Sequence, residues 1–504
     1  MGRSETLLSQ DIANLADLIA AYAVERPEAR ALVQDGTTLT YRALDRLMDR
    51  IAAGLQRDGV TKGQVVAILA ATTPLSAAVY LAALRAGAVP APIAPSSTTA
   101  QIAGMVSDSG APILFADAEG AALSQNVRAP LVDLDKLDAW LPGEGERPKP
   151  VTIAPDDAFN IIYSSGTTGT PKGIVHTHGM RWTQIRAYAA TGFSDAVTIV
   201  ATPLYSNTTL VSLLPTLAYG GTAVLLGKFD ARRFLEVAER ERATHVMLVP
   251  VQYQRIMADP EFDSFDLNCF RFKSATSAPF AAELKADVVA RWPGMLMEIY
   301  GMTEGGGTCL LFANLSPAKL HTVGQPAPGS DVRLIDEEGH EVPRGEIGEV
   351  VGRSGVMMAG YHNRSEATDA AAWYDADGNR YIRHGDLGRF DEDGFLTLLG
   401  RSKDMIISGG FNIYPPDLEE VMQSHPGVGE AAVIGIPSER WGETPFGFYV
   451  PRAEGVDAAA LVDWVNARVG KTQRLSGAEA IAELPRNAIG KILKRELRDR
   501  FATA

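Results

Sequence analysis

Apolar residues follow two alternating patterns along roughly the first three hundred positions. Some runs are short and rich in branched side chains, which is typical of buried strands, and others repeat at the spacing of an amphipathic helix. The helical pattern covers 11–24 and 42–58. The strand pattern covers 38–41, 64–69, 112–116, 158–162, 197–201, 222–226, 244–249 and 296–299. This alternation predicts an α/β fold with two doubly wound parallel sheets covered by helices on both faces.

The pattern changes after residue 320. Between 321 and 400, short strands are separated by Asp-Gly, Glu-Gly and Pro-Arg-Gly turns, which predict antiparallel structure in a small β-barrel-like subdomain. From 401 to 504, a Gly-rich loop is followed by mixed helices and strands, which predict a smaller α+β domain. The expected organisation is therefore an N-terminal domain over 1–400 and a C-terminal lid domain over 401–504.

The composition is that of an acidic globular protein. Of 504 residues, 46% are apolar and 21% are charged, and the net charge is −14. This charge disfavours broad nucleic-acid binding, which needs a basic face; the basic run 491–500 is interpreted as a solvated helix face. Cys269 and Cys309 lack the spacing of a zinc site or a disulfide framework, which favours a cytoplasmic location. Neither a membrane anchor nor a secretory signal is expected, because long apolar runs are missing.

A loop rich in glycine and hydroxyl groups follows the predicted strand 158–162. Its sequence over 163–173 is YSSGTTGTPKG. Glycine lets backbone N–H groups approach an anion closely, and hydroxyl groups and a lysine add donors and positive charge, which suits a polyphosphate. The Walker spacing is absent, and a flexible surface loop is the alternative. The candidate phosphate-binding residues are Ser164, Ser165, Gly166, Thr167, Thr168, Gly169 and Lys172.

Further segments accompany this loop in a fixed order. They are 300–304 (YGMTE), 385–404, which contains GD and GRSKD, 408–415 (SGGFNIYP) and 485–491 (PRNAIGK). Together with the loop, they resemble the motifs of the adenylate-forming superfamily, which includes acyl-CoA synthetases, 4-coumarate–CoA ligases, peptide-synthetase adenylation domains and firefly luciferase. The resemblance extends from about residue 11 to residue 500. It implies an ATP-dependent, AMP-forming ligase that converts a carboxylic acid into an acyl-adenylate and then into an acyl-CoA.

The resemblance also implies where ATP and Mg²⁺ bind. A carboxylate and a triphosphate repel each other until donors and cations neutralise the phosphates. Thr303 is expected at the α-phosphate, and Glu304 with Thr168 at Mg²⁺, which prefers carboxylate and phosphate oxygens. The alternative for Glu304 is a carboxylate at a helix N-terminus. Other nucleotide contacts are expected from Tyr300, Gly301, Asp386, Arg401 and the adenine-side segment Thr276, Ser277, Ala278 and Pro279.

A mobile C-terminal domain is a further implication of the resemblance. Lys491 matches the family's catalytic lysine, a compact charge that bridges the acid and the α-phosphate. Lys403 matches the hinge about which the lid rotates, withdrawing Lys491 and bringing in a pantetheine tunnel lined by Gly409 and Gly410. Trp441 matches a position where some aryl-CoA ligases stack the adenine of CoA. An ordinary core tryptophan is its alternative.

The acyl pocket is expected between an aromatic segment and the glycines of the YGMTE motif. Segment 203–207 (PLYSN) lacks the carboxylate with which amino-acid-activating relatives hold a substrate amine, so a free acid and CoA are favoured. Many relatives have histidine where this chain has serine, which puts a gating role copied from the family in doubt; Tyr205 is left as either a gate or a partner for a substrate hydroxyl. The glycines either leave room for an aryl, arylpropenoic, medium-chain or alicyclic acid or shape a turn. The candidate acyl-site residues are Tyr205, Ser206, Asn207, Gly305 and Gly306.

Three other functions are compatible with parts of this pattern. An adenylation enzyme that loads a separate carrier protein would share the chemistry but not the acceptor. A nucleotide-hydrolysing switch would release ADP and phosphate rather than AMP and pyrophosphate, and the missing Walker spacing disfavours it. A luciferase-like oxidation would share only the adenylation step. The sequence leaves the oligomeric state open, and a homodimer is compatible with families of this kind.

Overall fold

The first part of the chain alternates helices and strands. The structure is a computed structural model that describes residues 2–164, 171–189, 192–408, 411–438, 440–452, 456–470, 473–487 and 490–503. Strands β3 to β6 form a parallel sheet in the order β4-β3-β5-β6. The elements are α1 (Arg3–Leu8), α2 (Leu15–Glu25), β1 (Arg30–Gln34), β2 (Thr37–Thr40), α3 (Tyr41–Arg57), β3 (Val65–Leu69), α4 (Pro74–Arg85), β4 (Val89–Pro92), α5 (Thr99–Ser109), β5 (Ile113–Ala116), α6 (Ala118–Leu123), β6 (Leu131–Asp133) and α7 (Leu137–Trp140).

A larger sheet takes most of its strands from the next part of the chain. Its order is β15-β14-β13-β12-β11-β9-β10-β1-β2, parallel from β13 to β1 and antiparallel at both edges. The elements are β7 (Ala158–Ser164), β8 (Lys172–Thr177), α8 (His178–Ala187), β9 (Val197–Val200), α9 (Asn207–Ala218), β10 (Thr222–Leu225), α10 (Ala231–Arg240), β11 (His245–Leu248), α11 (Pro250–Met257), β12 (Phe272–Ala275), α12 (Ala282–Arg291), β13 (Met295–Tyr300), β14 (Cys309–Phe312) and β15 (Gln325–Pro326).

The largest core lies between these two sheets. Helix α3 buries Leu44, Met48, Ile51 and Leu55, whose spacing of three and four residues places them on one face. Helix α4 is buried along nearly its whole length, which explains why its sequence is apolar on every side. Because truncating a buried leucine costs about 2–5 kcal/mol, a change of Leu44 to alanine is enough to weaken this layer. The predicted pair of doubly wound sheets is confirmed.

The strand at 158–162 does not join a parallel sheet. Strand β7 pairs antiparallel with β8, and β8 pairs with the later strand β18 (Gly360–Tyr361). The expectation that 158–162 belongs to a parallel sheet is therefore wrong. The β-branched and apolar residues of Lys172–Thr177 favour a strand, and α8 begins only where Thr177 caps Met180 N–H.

Antiparallel strands dominate the part after residue 330. They form a sheet in the order β16-β17-β20-β19, with β21 paired to β20. Its long strand β20 carries residues of the candidate site toward the large parallel sheet. The elements are β16 (Asp331–Ile335), β17 (Gly348–Arg353), α13 (Ser365–Ala370), β19 (Ala372–Tyr374), β20 (Arg380–Phe390) and β21 (Leu396–Arg401).

The last part of the chain has a sheet of its own, in the order β23-β22-β25-β24 with β26 beside β25. Leu418, Val433 and Leu461 pack in its core, as expected for an α+β unit. The elements are β22 (Ile406–Ser408), β23 (Phe411–Ile413), α14 (Pro415–Gln423), β24 (Val428–Ser438), β25 (Gly442–Pro451), α15 (Ala458–Asn466), β26 (Ala478–Ala480) and α16 (Lys494–Thr503).

Two helix boundaries differ from the predicted ones. The first amphipathic helix starts at Leu15 rather than 11, because Asn14 adopts an extended conformation and caps the N–H of Ala16. The last helix starts at Lys494 rather than at Lys491. Its basic run is only partly a solvated face, since Lys494 pairs with Glu419 at 2.6 Å and Arg498 with Asp404 at 2.9 Å. Among the described residues, no helix is both long and apolar enough to cross a membrane.

Candidate active site

The candidate site lies at one edge of the large parallel sheet. Strands β9, β11, β12 and β13 are neighbours and run in the same direction, so their carboxyl ends meet at this edge. Ligands of open α/β sheets bind outside such carboxyl ends. The segments that follow these strands carry Tyr205, Val249, Thr276 and Thr303. Residues that are far apart in the sequence are therefore brought together there.

Asp386 is the centre of a chain of hydrogen bonds at this edge. Its Oδ2 accepts from the hydroxyl group of Tyr300 at 2.8 Å, and its Oδ1 pairs with Nε of Arg401 at 2.9 Å. Strands β20 and β21 place Asp386 opposite Arg401 in register. Nδ1 of His384 lies 3.0 Å from the same tyrosine hydroxyl. Because a carboxylate only accepts, the tyrosine proton points to Asp386, and His384 must donate from Nδ1.

The pKa values of His384 and Tyr300 are shifted mainly because both side chains are buried away from water. Burial lowers the pKa of His384 to about 4, so its ring is neutral near pH 7. Burial, and next the negative charge of Asp386, raise the pKa of Tyr300 well above its usual value. Nε2 of His384 is buried and has no hydrogen-bond partner among the described atoms. The sequence analysis overlooked His384, whose only signal was its position two residues before Asp386.

Lys491 reaches this group from the C-terminal part of the chain. Burial lowers its pKa, and the nearby guanidinium of Arg401 lowers it further, while Asp386 raises it. A short hairpin carries Lys491: its N–H donates to Oδ1 of Asn487 at 2.9 Å. Gly490 has a φ of 78° and lies against the start of α11, since a Cβ added there would lie 2.9 Å from Cγ1 of Val251. The structure thus places Lys491 near enough to Arg401 and Asp386 for their charges to act on it.

Lys403 lies in the segment that joins β21 to β22. Burial lowers its pKa, and Asp404 partly offsets this effect. The neighbouring Asp404 accepts from Nη2 of Arg498 on α16 at 2.9 Å. This bond ties the predicted hinge segment to the last helix.

Glu304 belongs to a second cluster on the side of the phosphate loop. Its Oε1 accepts from the hydroxyl group of Tyr361 at 2.8 Å, and Nζ of Lys172 lies 4.8 Å from the centre of the Tyr361 ring. Tyr361, which the sequence analysis overlooked, therefore links the end of the loop to Glu304. The described residues hold no group of three or more His, Cys, Asp or Glu side chains that could bind a metal. Glu304 fits Mg²⁺ only in company with phosphate oxygens, which is how Mg²⁺ is commonly held.

The adenine-side segment turns sharply after β12. Thr276 donates from Oγ1 to the carbonyl of Ile299 at 2.8 Å, which fixes it to β13. Ser277 has a φ of 80°, an unusual value for a residue with a side chain. Its hydroxyl lies 2.9 Å from that of Thr208 on α9. Residues Ala278 and Pro279 continue this turn at the same edge.

The acyl-side residues differ in what their side chains do. The hydroxyl of Ser206 caps α9 by accepting from the N–H of Thr208 at 3.3 Å. Asn207 accepts through Oδ1 from Nη2 of the buried Arg181 at 2.8 Å. Burial raises the pKa of Tyr205. Tyr205 and Asn207 are both partly exposed, whereas Ser206 is buried.

The glycines after Glu304 form a tight turn. Gly305 and Gly306 have φ values of 80° and 84°. A Cβ on Gly305 would lie 2.0 Å from the carbonyl oxygen of Val356, and one on Gly306 would lie 3.0 Å from that of Gly352. Glycine is required here by the close approach of two backbone segments. The interpretation that their missing side chains leave room for the acid is not supported, and the turn alternative is.

Some predicted site residues lie outside the described residues. They are Ser165, Gly166, Thr167, Thr168, Gly169, Gly409 and Gly410. Ser164 is described by its backbone, which pairs with Lys172 at the start of the hairpin. Gly301 precedes Glu304 in the same turn and has no close neighbour that would forbid a side chain.

Trp441 lies at the surface, at the turn between β24 and β25. Its side chain is 47% exposed, which shows that the alternative of a core tryptophan is wrong. The guanidinium of Arg440 lies 4.6 Å from the centre of its ring. An exposed indole beside a cation is compatible with contact to a ligand.

Known proteins resemble this chain over nearly its whole length. The sequence pattern of the AMP-binding enzyme family matches residues 19–362, and that of the AMP-binding enzyme C-terminal domain matches residues 417–491. Feruloyl-CoA synthase of Amycolatopsis is 36% identical over 94% of this chain and 96% of its own length. Fatty acid–[acyl-carrier-protein] ligase ScoC of Streptomyces coeruleorubidus is 31% identical over 97% of this chain and 96% of its own. The crystal structure of ATP-bound MatB from Rhodopseudomonas palustris superposes with a TM-score of 0.87 at 29% identity, covering 97% of this chain and 99% of that one.

The chain belongs to the family of AMP-binding enzymes. The superfamily recognised from the sequence is thereby confirmed, and so is the enzyme class, an ATP-dependent carboxylate–CoA ligase. ATP, Mg²⁺ and CoA are the reactants and cofactor of that class, as expected.

Proposed function

We propose that this ligase activates an aromatic acid of the arylpropenoic type as its adenylate and transfers the acyl group to CoA. The observation that carries the proposal is the meeting of Lys491 with Asp386 and Arg401 at the edge of the large sheet. A cation from the lid, a carboxylate for ribose and a second cation are the parts that adenylation needs at one place.

In the first step, a carboxylate oxygen of the acid attacks the α-phosphorus of ATP. The bond from that phosphorus to the oxygen bridging to the β-phosphate breaks, and pyrophosphate leaves. Negative charge builds on the α-phosphate oxygens, and the ammonium of Lys491 stabilises it. Asp386 accepts hydrogen bonds from the ribose hydroxyls, and Tyr300 holds that carboxylate in place from the other side. A bound Mg²⁺ would neutralise the phosphates, with Glu304 as the carboxylate that holds it.

In the second step, the thiol sulfur of CoA attacks the acyl carbon of the adenylate. The carbon–oxygen bond to AMP breaks, the thiol proton passes to solvent, and AMP leaves with the electron pair. The lid must first withdraw Lys491, and rotation near Lys403 is the proposed motion. Trp441 is proposed to stack on the adenine of CoA, which its exposure at a turn supports.

The choice of an aromatic acid rests on the similarity to a feruloyl-CoA synthase, with aromatic side chains beside α9 as a secondary observation. A cavity of about 10 Å³ lies between α9 and the strands β9, β11 and β12. Aromatic rings line it: Phe193 lies 4.5 Å from His245, and His245 lies parallel to Phe272 at 6.3 Å. These rings contact one another or lie side by side on neighbouring strands, and the space beside them is about the size of one water molecule. The similarity to a feruloyl-CoA synthase supports the same class of acid.

The test is a panel of benzoates, cinnamates, aliphatic and alicyclic acids with ATP and Mg²⁺, with and without CoA. AMP, ADP and acyl-CoA are measured by mass. Formation of AMP and a thioester for hydroxylated cinnamates supports the proposal. AMP and thioester with fatty acids alone would show that the acid class is wrong. Formation of ADP alone would show that adenylation itself is wrong.

Loading of a carrier protein is the second candidate. The 31% identity to an acyl-carrier-protein ligase over nearly the whole chain is the observation that favours it. It predicts pyrophosphate release with the acid alone and no consumption of free CoA. The same panel therefore separates the two acceptors.

A further inference from the structure

A fully buried arginine lies between the acyl side and the phosphate side of the site. Arg181, on α8, has no measurable exposure. Within the parts of the chain that the structure describes, it forms no ion pair with a carboxylate. A buried charge without a counter-charge is costly, and a neutral side chain would be the cheaper way to fill this space. Because of this cost, we expect the hydrogen bonds of the guanidinium to have a functional role.

Each nitrogen of the guanidinium group donates at least one hydrogen bond to a neighbouring side chain. Its Nη2 donates to Nδ1 of His176 at 2.7 Å and to Oδ1 of Asn207 at 2.8 Å. Its Nε donates to Oδ1 of Asn160 at 3.0 Å, and its Nη1 to Oε1 of Gln184 at 2.7 Å. The planar fork of arginine suits this arrangement, whereas the single nitrogen of lysine does not.

These bonds determine the state of His176. Because Nδ1 accepts from Arg181, the ring must carry its proton on Nε2, which lies 2.7 Å from the carbonyl oxygen of Thr303. His176 therefore donates to Thr303. Its ring is completely buried between the two partners.

The segments joined in this way are those that must meet for the first step. Asn207 opens α9 at the acyl side, and Thr303 precedes Glu304 in the turn at the phosphate side. Asn160 and His176 lie on β7 and β8, the two strands of the hairpin that bears the phosphate loop. One guanidinium thus connects the acyl helix, the hairpin and the 300–304 turn.

We propose that Arg181 is a positioning residue for adenylation: through His176 it fixes the backbone at Thr303, and through Asn207 it fixes the first turn of α9. The acid and the α-phosphate are then held in one geometry. This inference rests on the proposed function. Misplacement of a reacting group by about 1 Å costs on the order of 100-fold in rate, so loss of the connection acts on kcat rather than on binding.

The test measures kcat and KM for ATP by pyrophosphate exchange, and in parallel thioester formation from preformed acyl-adenylate. Arg181→Met keeps the bulk and removes the donors; we expect kcat of adenylation to fall about 100-fold with KM for ATP nearly unchanged. Thioester formation should fall much less. Arg186→Met on the same helix is the control. Arg186 is exposed, and its surface ion pair with Asp11 at 3.7 Å contributes little to stability.

A second pair of variants covers the case in which Arg181→Met does not fold. His176→Gln keeps a donor for Thr303, and His176→Leu does not. We expect the glutamine variant to retain most of kcat and the leucine variant to lose as much as Arg181→Met, with melting temperatures alike. In the double variant Arg181→Met/His176→Leu the losses should not add, because both act through the same bonds.

Three results would overturn the inference. A folded Arg181→Met with wild-type kcat would do so, and so would equal activity of the glutamine and leucine variants of His176. If wild-type protein releases ADP and no AMP with every acid, the proposed function fails, and the inference fails with it. An active wild type with unaffected variants refutes the inference alone.

Discussion

The hydroxyl group of Tyr300 donates to Oδ2 of Asp386 at 2.8 Å. This bond joins the end of β13 to β20 and orients a carboxylate whose other oxygen pairs with Arg401. Asp386 is therefore held from both sides before any ribose binds. Preorganisation of this kind reduces the cost of ordering the site when a ligand arrives.

Changing Tyr300 to phenylalanine should weaken nucleotide binding through Asp386. A hydrogen bond to a charged group contributes about 1.5–3 kcal/mol, so KM for ATP should rise roughly 10-fold or more. The measurement is pyrophosphate exchange with ATP and with 2′-deoxy-ATP. The variant should lose less with the deoxy nucleotide, because that ligand makes fewer bonds to Asp386. Tyr374→Phe, at an exposed position, serves as control; an equal loss for both nucleotides would contradict the explanation.

His384 should make stability depend on pH below neutrality. Its pKa is lowered by burial to about 4 in the folded protein, whereas an unfolded histidine titrates near its usual pKa of 6.5. The unfolded state binds more protons between these values, so the free energy of unfolding falls as the pH is lowered from 6.5 to 4. The contribution is on the order of 3 kcal/mol.

Urea denaturation at several pH values checks this. His384→Leu should show a shallower fall of the free energy of unfolding between pH 6.5 and 4 than the wild type. His340→Gln, whose side chain is 79% exposed, should keep the wild-type slope. Identical slopes for wild type and His384→Leu would show that this histidine is not the titrating group.

Lys491→Ala should separate the two half-reactions. Removing one stabilising donor from a developing charge costs about 100- to 1000-fold in rate, so adenylation should fall by that amount. Thioester formation from preformed acyl-adenylate should persist, because the proposed lid rotation withdraws Lys491 before this step. Lys494→Ala, which breaks only the pair with Glu419, is the control. Full adenylation by Lys491→Ala would remove the residue from the mechanism.

The acid–base behaviour of Lys491 gives a separate prediction. Burial and the charges of Arg401 and Lys403 lower its pKa, so its ammonium form is lost at lower pH than that of a free lysine. Adenylation should therefore decline on the basic side of its pH profile, and Lys491→Arg should lose that decline, since arginine stays charged up to about pH 12. The measurement is kcat/KM against pH, with Lys494→Arg as control. A basic limb that persists in Lys491→Arg would have to come from another group.

Trp441→Ala should affect CoA alone. Stacking on an aromatic side chain contributes about 1–3 kcal/mol for a base, so KM for CoA should rise about 10-fold, while pyrophosphate exchange stays at the wild-type rate. Trp441→Phe should recover part of the loss. An unchanged KM for CoA in Trp441→Ala would show that the indole does not contribute to CoA binding.

The sequence predicts the architecture well where its pattern is long and repeated. The bounds predicted for helix α3 and strand β3 agree with the structure to within a residue or two, because their burial produces a recognisable pattern of apolar residues. The sequence does not predict the hairpin β7–β8, because a short apolar run looks the same in a parallel sheet as in an antiparallel hairpin. Pairing partners depend on the tertiary fold, and no local pattern reports them.

The sequence predicts candidate site residues where they belong to ordered motifs, as with Asp386 and Lys491, and their roles stay predictions. It does not predict them where a side chain acts through another. Tyr361 belongs to none of the motifs, and its partner Glu304 is far away in the sequence. Arg181 belongs to none of them either, and its partner His176 is buried. At Gly305 the motif is recognised but its reason is not. The sequence left open whether the glycine makes room for the acid, and the structure shows that the nearby carbonyl of Val356 requires it.

The contact of Gly490 with Val251 and Val249 has a consequence for turnover. It is made of hydrocarbon, so it is weak, undirected and nearly insensitive to salt, unlike an ion pair. In the proposed cycle this contact is broken and remade once per turnover, and separating hydrocarbon surfaces does not require separating charges. Replacing Val251 with a polar residue is therefore expected to shift the balance between the docked and the withdrawn lid.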